Sequence, residues 1–247
     1  MKRICTKCIV AALILSMGIT AGIPAYAAQP QTTAATEQAA QLSLEETASQ
    51  YFENYPSDKH VVSAEQLLNR VEEGESFCLL DIRSAEDYAK GHIQGAVNIP
   101  YGVDVADALE IIPNDQPVLV YCYSGQTASQ TALLLNLAGK KALNVSGGFN
   151  NGISKQEAAE KWMTTEPASF DDKTYAVDAD IKAAVENYYK QVEKAEYAKN
   201  NISPKQLKQL MESGEEVFIA DLRSEEDYSK GHIEGAVSLP YGKGMQE

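Results

Sequence analysis

One segment of this chain occurs twice. Residues 84–102, SAEDYAKGHIQGAVNIPYG, return 140 residues later as SEEDYSKGHIEGAVSLPYG at 224–242. Aligning 62–102 with 202–242 gives 22 identities in 41 positions. Whatever the chain folds into must therefore accommodate the same local structure twice. The copies are unequal in length. After Gly102 the first runs on through a VLVY stretch to Cys122, whereas the counterpart of Cys122 in the second copy would fall at position 262, past Glu247. A stretch as short as 202–247 encloses little core, because small chains bury too small a fraction of their surface. The expected organisation is a complete α/β domain with a helical lead-in over 44–163, a helical linker over 164–201 and an incomplete second copy over 202–247. Ahead of the copies, Tyr51-Phe52-Glu53 corresponds loosely to Tyr188-Tyr189-Lys190.

The N-terminus reads as an address. Lys2, Arg3 and Lys7 precede an apolar stretch over 8–23, and Ala25-Tyr26-Ala27 supplies a small-residue cleavage pattern. Residues 1–27 are thus expected to be a secretory signal peptide, which implies an exported protein, whether extracellular, periplasmic or held in the envelope. Residues 28–43, rich in Gln, Thr and Ala without an apolar period, are expected to be a flexible spacer. The net charge is −14, from 21 Lys and Arg against 35 Asp and Glu. Removing three cations with the leader leaves 18 − 35 = −17. Such a chain is a poor partner for nucleic acid, whose affinity comes from Lys and Arg on phosphates, and no stable membrane insertion is expected after cleavage. The processed chain keeps only Cys78 and Cys122. With three histidines showing no metal-ligand spacing, neither a metal nor a cofactor is expected.

Within the first copy, strands and helices alternate. Val61-Val62 is a short strand, and Ser63-x-x-Gln66 a capping box opening a helix through Val71. Phe77–Asp81, Ala96–Ile99, Val118–Tyr121 and Ala142–Val145 read as strands, VLVY being the most central. Ser84-x-x-Asp87 opens a short helix, residues 103–111 suggest another, and Thr127-x-x-Gln130 is read as capping a helix that stops at Gly139. This alternation predicts an α/β fold with a mostly parallel central sheet flanked by helices. Residues 154–200 look helical.

Cys122 ends the central strand and is followed by Tyr123, Ser124, Gly125, Gln126 and Thr127 before a helix. A strand–loop–helix turn aims backbone N–H groups into one concavity, and the helix N-terminus adds about half a positive charge. Such a cradle favours the nucleophilic thiolate. Gly125 allows the tight turn, and the polar side chains of Ser124, Gln126 and Thr127 can donate to an anion. A small buried residue at a strand end is the plainer reading of Cys122, and the local pattern alone leaves both open.

The segment LLDIRSAEDYAKGHIQGAVNIP, followed by VYCYSGQTAS and VSGGF, resembles the rhodanese (sulfurtransferase) family over about 60–150, and again over 202–242 for the first half of a unit. The resemblance implies that Cys122 accepts sulfane sulfur as a persulfide and passes it to a thiophilic acceptor such as cyanide or a thiol, a protein thiol included. It implies that Tyr123, Ser124, Gly125, Gln126, Thr127 and Ala128 bind the sulfur anion. Many thiosulfate-using members carry an arginine in this loop, and none stands between Cys122 and Ser129. That departure favours polysulfide or a persulfide over thiosulfate as donor, because a dianion loses its charge-assisted contact. It also leaves a Cys-x5-Arg phosphatase of related fold as a minor alternative, since position 128 is Ala. A non-catalytic scaffold module and a sulfur carrier are the other readings.

Asp81 and Arg83 are expected to support structure near the carboxyl edge of the sheet. His92 is expected to play a structural hydrogen-bonding part, because His232 repeats it in a copy without the cysteine. Cys78 is expected to be inert packing, and a Cys78–Cys122 disulfide is not expected. The unfinished second copy leaves exposed strand edges, so self-association through 202–247 is expected.

Overall fold

A computed structural model describes residues 46–56, 59–214 and 216–242. The expected signal peptide and spacer lie outside the described residues. The described chain divides into two compact units, one running from Pro56 to Phe218 and the other combining 46–55 with 219–242.

The larger unit is built on a five-stranded parallel sheet in the order β1 (Val61–Val62), β6 (Lys141–Val145), β5 (Pro117–Tyr121), β2 (Cys78–Asp81) and β4 (Ala96–Asn98). VLVY is the middle strand, and Val118 to Tyr121 have no exposed surface. A strand covered on both faces needs an unbroken apolar run, which is what the sequence carries there. Among the described residues the first helix, α1, covers 46–53 in the smaller unit, and helix α2 (Ala64–Glu73) of the larger unit starts on the expected box. Gln66 N–H donates to Ser63 Oγ at 3.0 Å, and Ser63 N–H donates back to Gln66 Oε1 at 2.8 Å. Helix α3 (Ala85–Lys90) starts on Ser84 as predicted. The stretch over 103–111 splits into α4 (Val103–Asp107) and one 3-10 turn.

Two expectations about helices need correction. Thr127 is not a cap. Helix α5 (Gln126–Leu137) takes Gly125 as its N-cap, with no side-chain cap, and Thr127 lies inside its first turn. The stretch from 154 to 200 is also not one helical region. Residues 148–162 form a π-turn and 3-10 turns, and β7 (Met163–Thr164) pairs antiparallel with β3 (His92–Ile93). Residues 165–178 carry no helix. Only α6 (Ala179–Glu193) is regular, opened by Asp178, whose side chain accepts from Asp180 and Ile181 N–H. Its Ile181, Val185, Tyr189 and Val192 are buried in the same unit as the sheet, and it packs on α4. Helix propensity counts residues favourable to a helix, whereas the β3–β7 pairing is a long-range contact that outweighs it.

Helix α7 (Pro204–Ser213) belongs to the larger unit and buries no side chain. In the smaller unit, β8 (Ala220–Asp221) pairs parallel with β9 (Val237–Ser238), Ala220 opposite Val237. That is the Leu80–Val97 register of β2 and β4, repeated at the offset of 140. Between them lies α8 (Glu225–Lys230).

Candidate active site

The site begins where β5 ends. Asp81 stands opposite Tyr121 in the ladder, so β2 and β5 finish together and Cys122 emerges at the carboxyl edge of the sheet, where open parallel sheets present ligand sites. Gly125, at φ +92°, turns the chain back. Its N–H donates to Cys122 Sγ at 3.1 Å. Cys122 is only 2% exposed, so the sulfur lies on the floor of the loop rather than on the surface.

The loop rests on the turn after β6. Cys122 O accepts from Phe149 N–H at 2.7 Å, and Tyr123 O accepts from Asn150 N–H at 2.9 Å. Gly148 allows this approach. A Cβ there would lie 2.5 Å from Cys122 O and 2.8 Å from the nitrogens of Ser124 and Gly125. With two carbonyls drawn toward that turn, the free N–H groups lie at the start of α5. The first turn of a helix leaves its N–H groups without partners in the helix. Because Gly125 has no side chain to take them, those of Gln126, Thr127 and Ala128 remain available to an anion. The absence of a cap is thus the feature that matters here.

The side chains sort themselves accordingly. Ser124 and Gln126 are exposed, while Thr127 and Ala128 are buried, Ala128 completely. Ala128 therefore offers only its amide. Tyr123 turns outward from the cradle to α3, its hydroxyl donating to Asp87 Oδ2 at 2.6 Å and lying 3.1 Å from Ser84 Oγ. The Tyr123 hydroxyl, helped by Lys90, holds the Asp87 carboxyl down to about 2.

Asp81 and Arg83 lie beneath the loop. Arg83 donates from Nε and Nη2 to the Asp81 carboxylate, closest at 2.6 Å, and also to Gly91 O. Its guanidinium carbon stands 3.8 Å from the Phe149 ring centroid. Because Phe149 N–H holds Cys122 O, the Asp81–Arg83 pair reaches the loop through that ring. His92 is placed elsewhere. It is fully buried in β3, stacked on Tyr88, with its ring nitrogens 2.8 Å from Tyr88 O and 3.0 Å from Glu166 O. Cys78 is buried in β2, and burial pushes its thiol up to about 12. Both cysteines are free thiols.

Sequence reasoning missed Gly148 as the seat of the loop, although the VSGGF run was visible. It also missed the Tyr123–Asp87 clasp and the Tyr101–Gln130 hydrogen bond beside the loop. The Pro-Tyr-Gly triplet, present in both copies, was the available signal for Tyr101.

The sequence model of the rhodanese-like domain matches residues 63–155 and 203–247. The putative sulfur carrier protein YrkF of Bacillus subtilis is 35% identical over 97 residues, which span 39% of this chain and 52% of that protein. The chain thus spans about half the length of that relative. Thiosulfate sulfurtransferase GlpE of Pseudomonas fluorescens is 37% identical over 90 residues, covering 36% of this chain and 73% of that one. The putative sulfurtransferase YtwF of Bacillus subtilis is 32% identical over 88 residues, or 84% of its length. A rhodanese-like domain protein from Staphylococcus aureus aligns structurally over 46% of this chain and 97% of its own, with 22% identity and a TM-score of 0.35. With a parallel sheet that presents a cysteine loop at its carboxyl edge and two matched segments, this chain belongs to the rhodanese-like domain family.

Proposed function

We propose that this protein is a sulfurtransferase that carries sulfane sulfur as a persulfide on Cys122. The observation that carries the reading is the Gly125 N–H donated to Cys122 Sγ at 3.1 Å, at the mouth of an uncapped helix. Oriented N–H groups stabilise negative charge at the sulfur, and a persulfide anion places that charge one atom further into the loop. The Cys122 thiolate attacks the outer sulfur of a donor R–S–S⁻. The Sγ–S bond forms as the donor S–S bond breaks, and its electron pair leaves on RS⁻. Cyanide or a thiolate then attacks the outer sulfur of the persulfide and returns Cys122 as thiolate. No external oxidant or reductant enters the balance.

The GlpE and YtwF names support transfer, and the YrkF name supports the closely related role of a carrier delivering sulfur to a protein thiol. Tyr123, Ser124, Gly125, Gln126, Thr127 and Ala128 supply the cradle, mostly through amides. Asp81 and Arg83 position it, and His92 supports the fold. The lack of a loop cation favours polysulfide or a persulfide over thiosulfate. The N-terminal pattern of 1–27 supports export, to the cell envelope or beyond. The processed protein should form thiocyanate from polysulfide and cyanide, and Cys122→Ala should lose that activity. Equal rates in the two proteins would refute the proposal.

A further inference from the structure

We propose that Lys199, carried by the segment leading from the first copy into the second, is the cationic donor-binding group of the Cys122 site, and that its donor is an α-amino-acid persulfide. The inference rests on the sulfur-carrying reading of Cys122 and names what that site takes.

The loop offers amides but no cation from Cys122 to Ser129. Next to its helix opens a cleft of about 390 Å³ whose lining includes Tyr101, Tyr189, Glu193, Glu196 and Lys199. Tyr101 ties this cleft to the loop's helix by donating its hydroxyl to Gln130 Oε1. Gln130 lies one turn along α5 from Gln126, on the same face. Its Nε2 donates to Lys199 O at 3.3 Å, and Lys199 Nζ stands 5.5 Å from the Tyr101 ring centroid. Burial, then Tyr188 and Tyr189, raise the Tyr101 hydroxyl above the usual phenol range, and the Cys122 sulfur adds to that rise. Gln130 thus ties both the Tyr101 ring and the Lys199 backbone to the helix that starts at the sulfur's loop.

The backbone at Lys199 and Asn200 is left-handed, with φ of +58° and +53°. Consecutive non-glycine residues hold that conformation only where their surroundings impose it, and the Gln130 bond is one such constraint. Among the described residues, Lys199 Nζ makes no ion pair, so its charge is open to a ligand. The repeat adds a separate observation. Tyr101 meets Tyr189, from the helix preceding the second copy, edge-on at 5.3 Å. Its counterpart Tyr241 is met edge-on by Phe52 and Tyr55, from and just after the helix preceding the first copy, at 5.7 and 5.2 Å. In both units the lead-in to one copy covers the Pro-Tyr-Gly turn of the other.

Donor chemistry follows from the charge layout. Thiosulfate carries its charge on its sulfonate oxygens, two bonds from the sulfane sulfur, which keeps the anionic end within the loop. A carboxylate a few bonds from the sulfane sulfur reaches across Tyr101 to Lys199. Glu193 and Glu196 on the same wall oppose a second negative charge and suit an ammonium.

The test uses the processed full chain and two readouts, one independent of sulfur chemistry. Cys122 is alkylated with anionic iodoacetate and with neutral iodoacetamide, and is separately loaded from cysteine persulfide. Lys199→Glu should lower the iodoacetate-to-iodoacetamide rate ratio about tenfold, the scale of local charge steering, and slow loading in parallel. Lys199→Arg should restore both. An unchanged ratio and unchanged loading in Lys199→Glu would overturn the assignment of Lys199. A shifted ratio in a protein that takes sulfur from neither cysteine persulfide nor polysulfide would overturn the donor together with the sulfur-carrying reading beneath it.

Discussion

Gly148 shows how a single missing Cβ shapes the site. The loop can hand two carbonyls to Phe149 and Asn150 only because nothing projects from residue 148. Gly148→Ala should destabilise the protein by about 1–3 kcal/mol, the usual range for overpacking, and should lose sulfur loading even where the protein still folds. Denaturant titration beside a loading assay checks both. The two thiols differ just as sharply. Cys78 is held as a thiol by burial, with its titration pushed up to about 12. At pH 8, iodoacetamide should therefore label Cys122 alone in the folded protein, and a second adduct on Cys78 would contradict the packing described. Asp87 gives the site an acid limit. A carboxyl held below its ordinary 3.8 favours the folded form above that value, and the contribution falls away as pH drops toward 2. Ring resonances of Tyr123 should shift across that window and stay flat in Asp87→Asn. At this scale the sequence was partly legible. Cys122 and its neighbours could be named from the motif, but Gly148 acts through a contact between distant segments that no local pattern displays.

Short elements recur with their hydrogen bonds intact. Arg223 grips Asp221 and donates to Gly231 O, Tyr228 OH donates to Ala236 O, and His232 stacks on Tyr228, as their counterparts do 140 residues earlier. The environments are opposite. The Arg83 and Asp81 side chains are 4% and 0% exposed, whereas those of Arg223 and Asp221 are 51% and 12% exposed. The motif's geometry is thus local, and burial sets its energetic weight. Arg83→Ala should cost about 3–5 kcal/mol, since it strands a buried carboxylate. Arg223→Ala should cost far less, since solvent screens an exposed pair. Equal losses in the two variants, measured by chemical unfolding, would show that burial does not decide. The recurrence also explains what could be read beforehand. Ser63 with Gln66 and Ser84 with Asp87 declare their helices because a cap is a contact three residues long. Thr127 misled because its neighbour Gly125 turns the chain two residues earlier, and a glycine cap leaves no side-chain signature.

At the scale of the whole molecule, the parallel sheet followed from alternation, and its central strand from the most apolar run. The place of 164–201 did not follow. An Ala-, Lys- and Glu-rich composition marks a helix but not what it packs on, and Ile181, Val185, Tyr189 and Val192 are buried in the sheet-bearing unit. The second copy exposes what the first covers. Leu222 and Ile233 are each 44% exposed, while Ile82 and Ile93 are 3% and 0% exposed. Such a surface, with an open strand edge, should drive self-association. A chain of residues 28–247 should elute larger than a monomer, and one of residues 28–201 should elute as a monomer. Clean monomers from both would contradict this.

The central claim, that Cys122 holds transferable sulfur, is tested most directly by weighing the intact reduced protein after exposure to polysulfide. The account predicts a gain of one sulfur atom, absent in Cys122→Ala and removed by cyanide. No gain, or a gain that persists in Cys122→Ala, would contradict it.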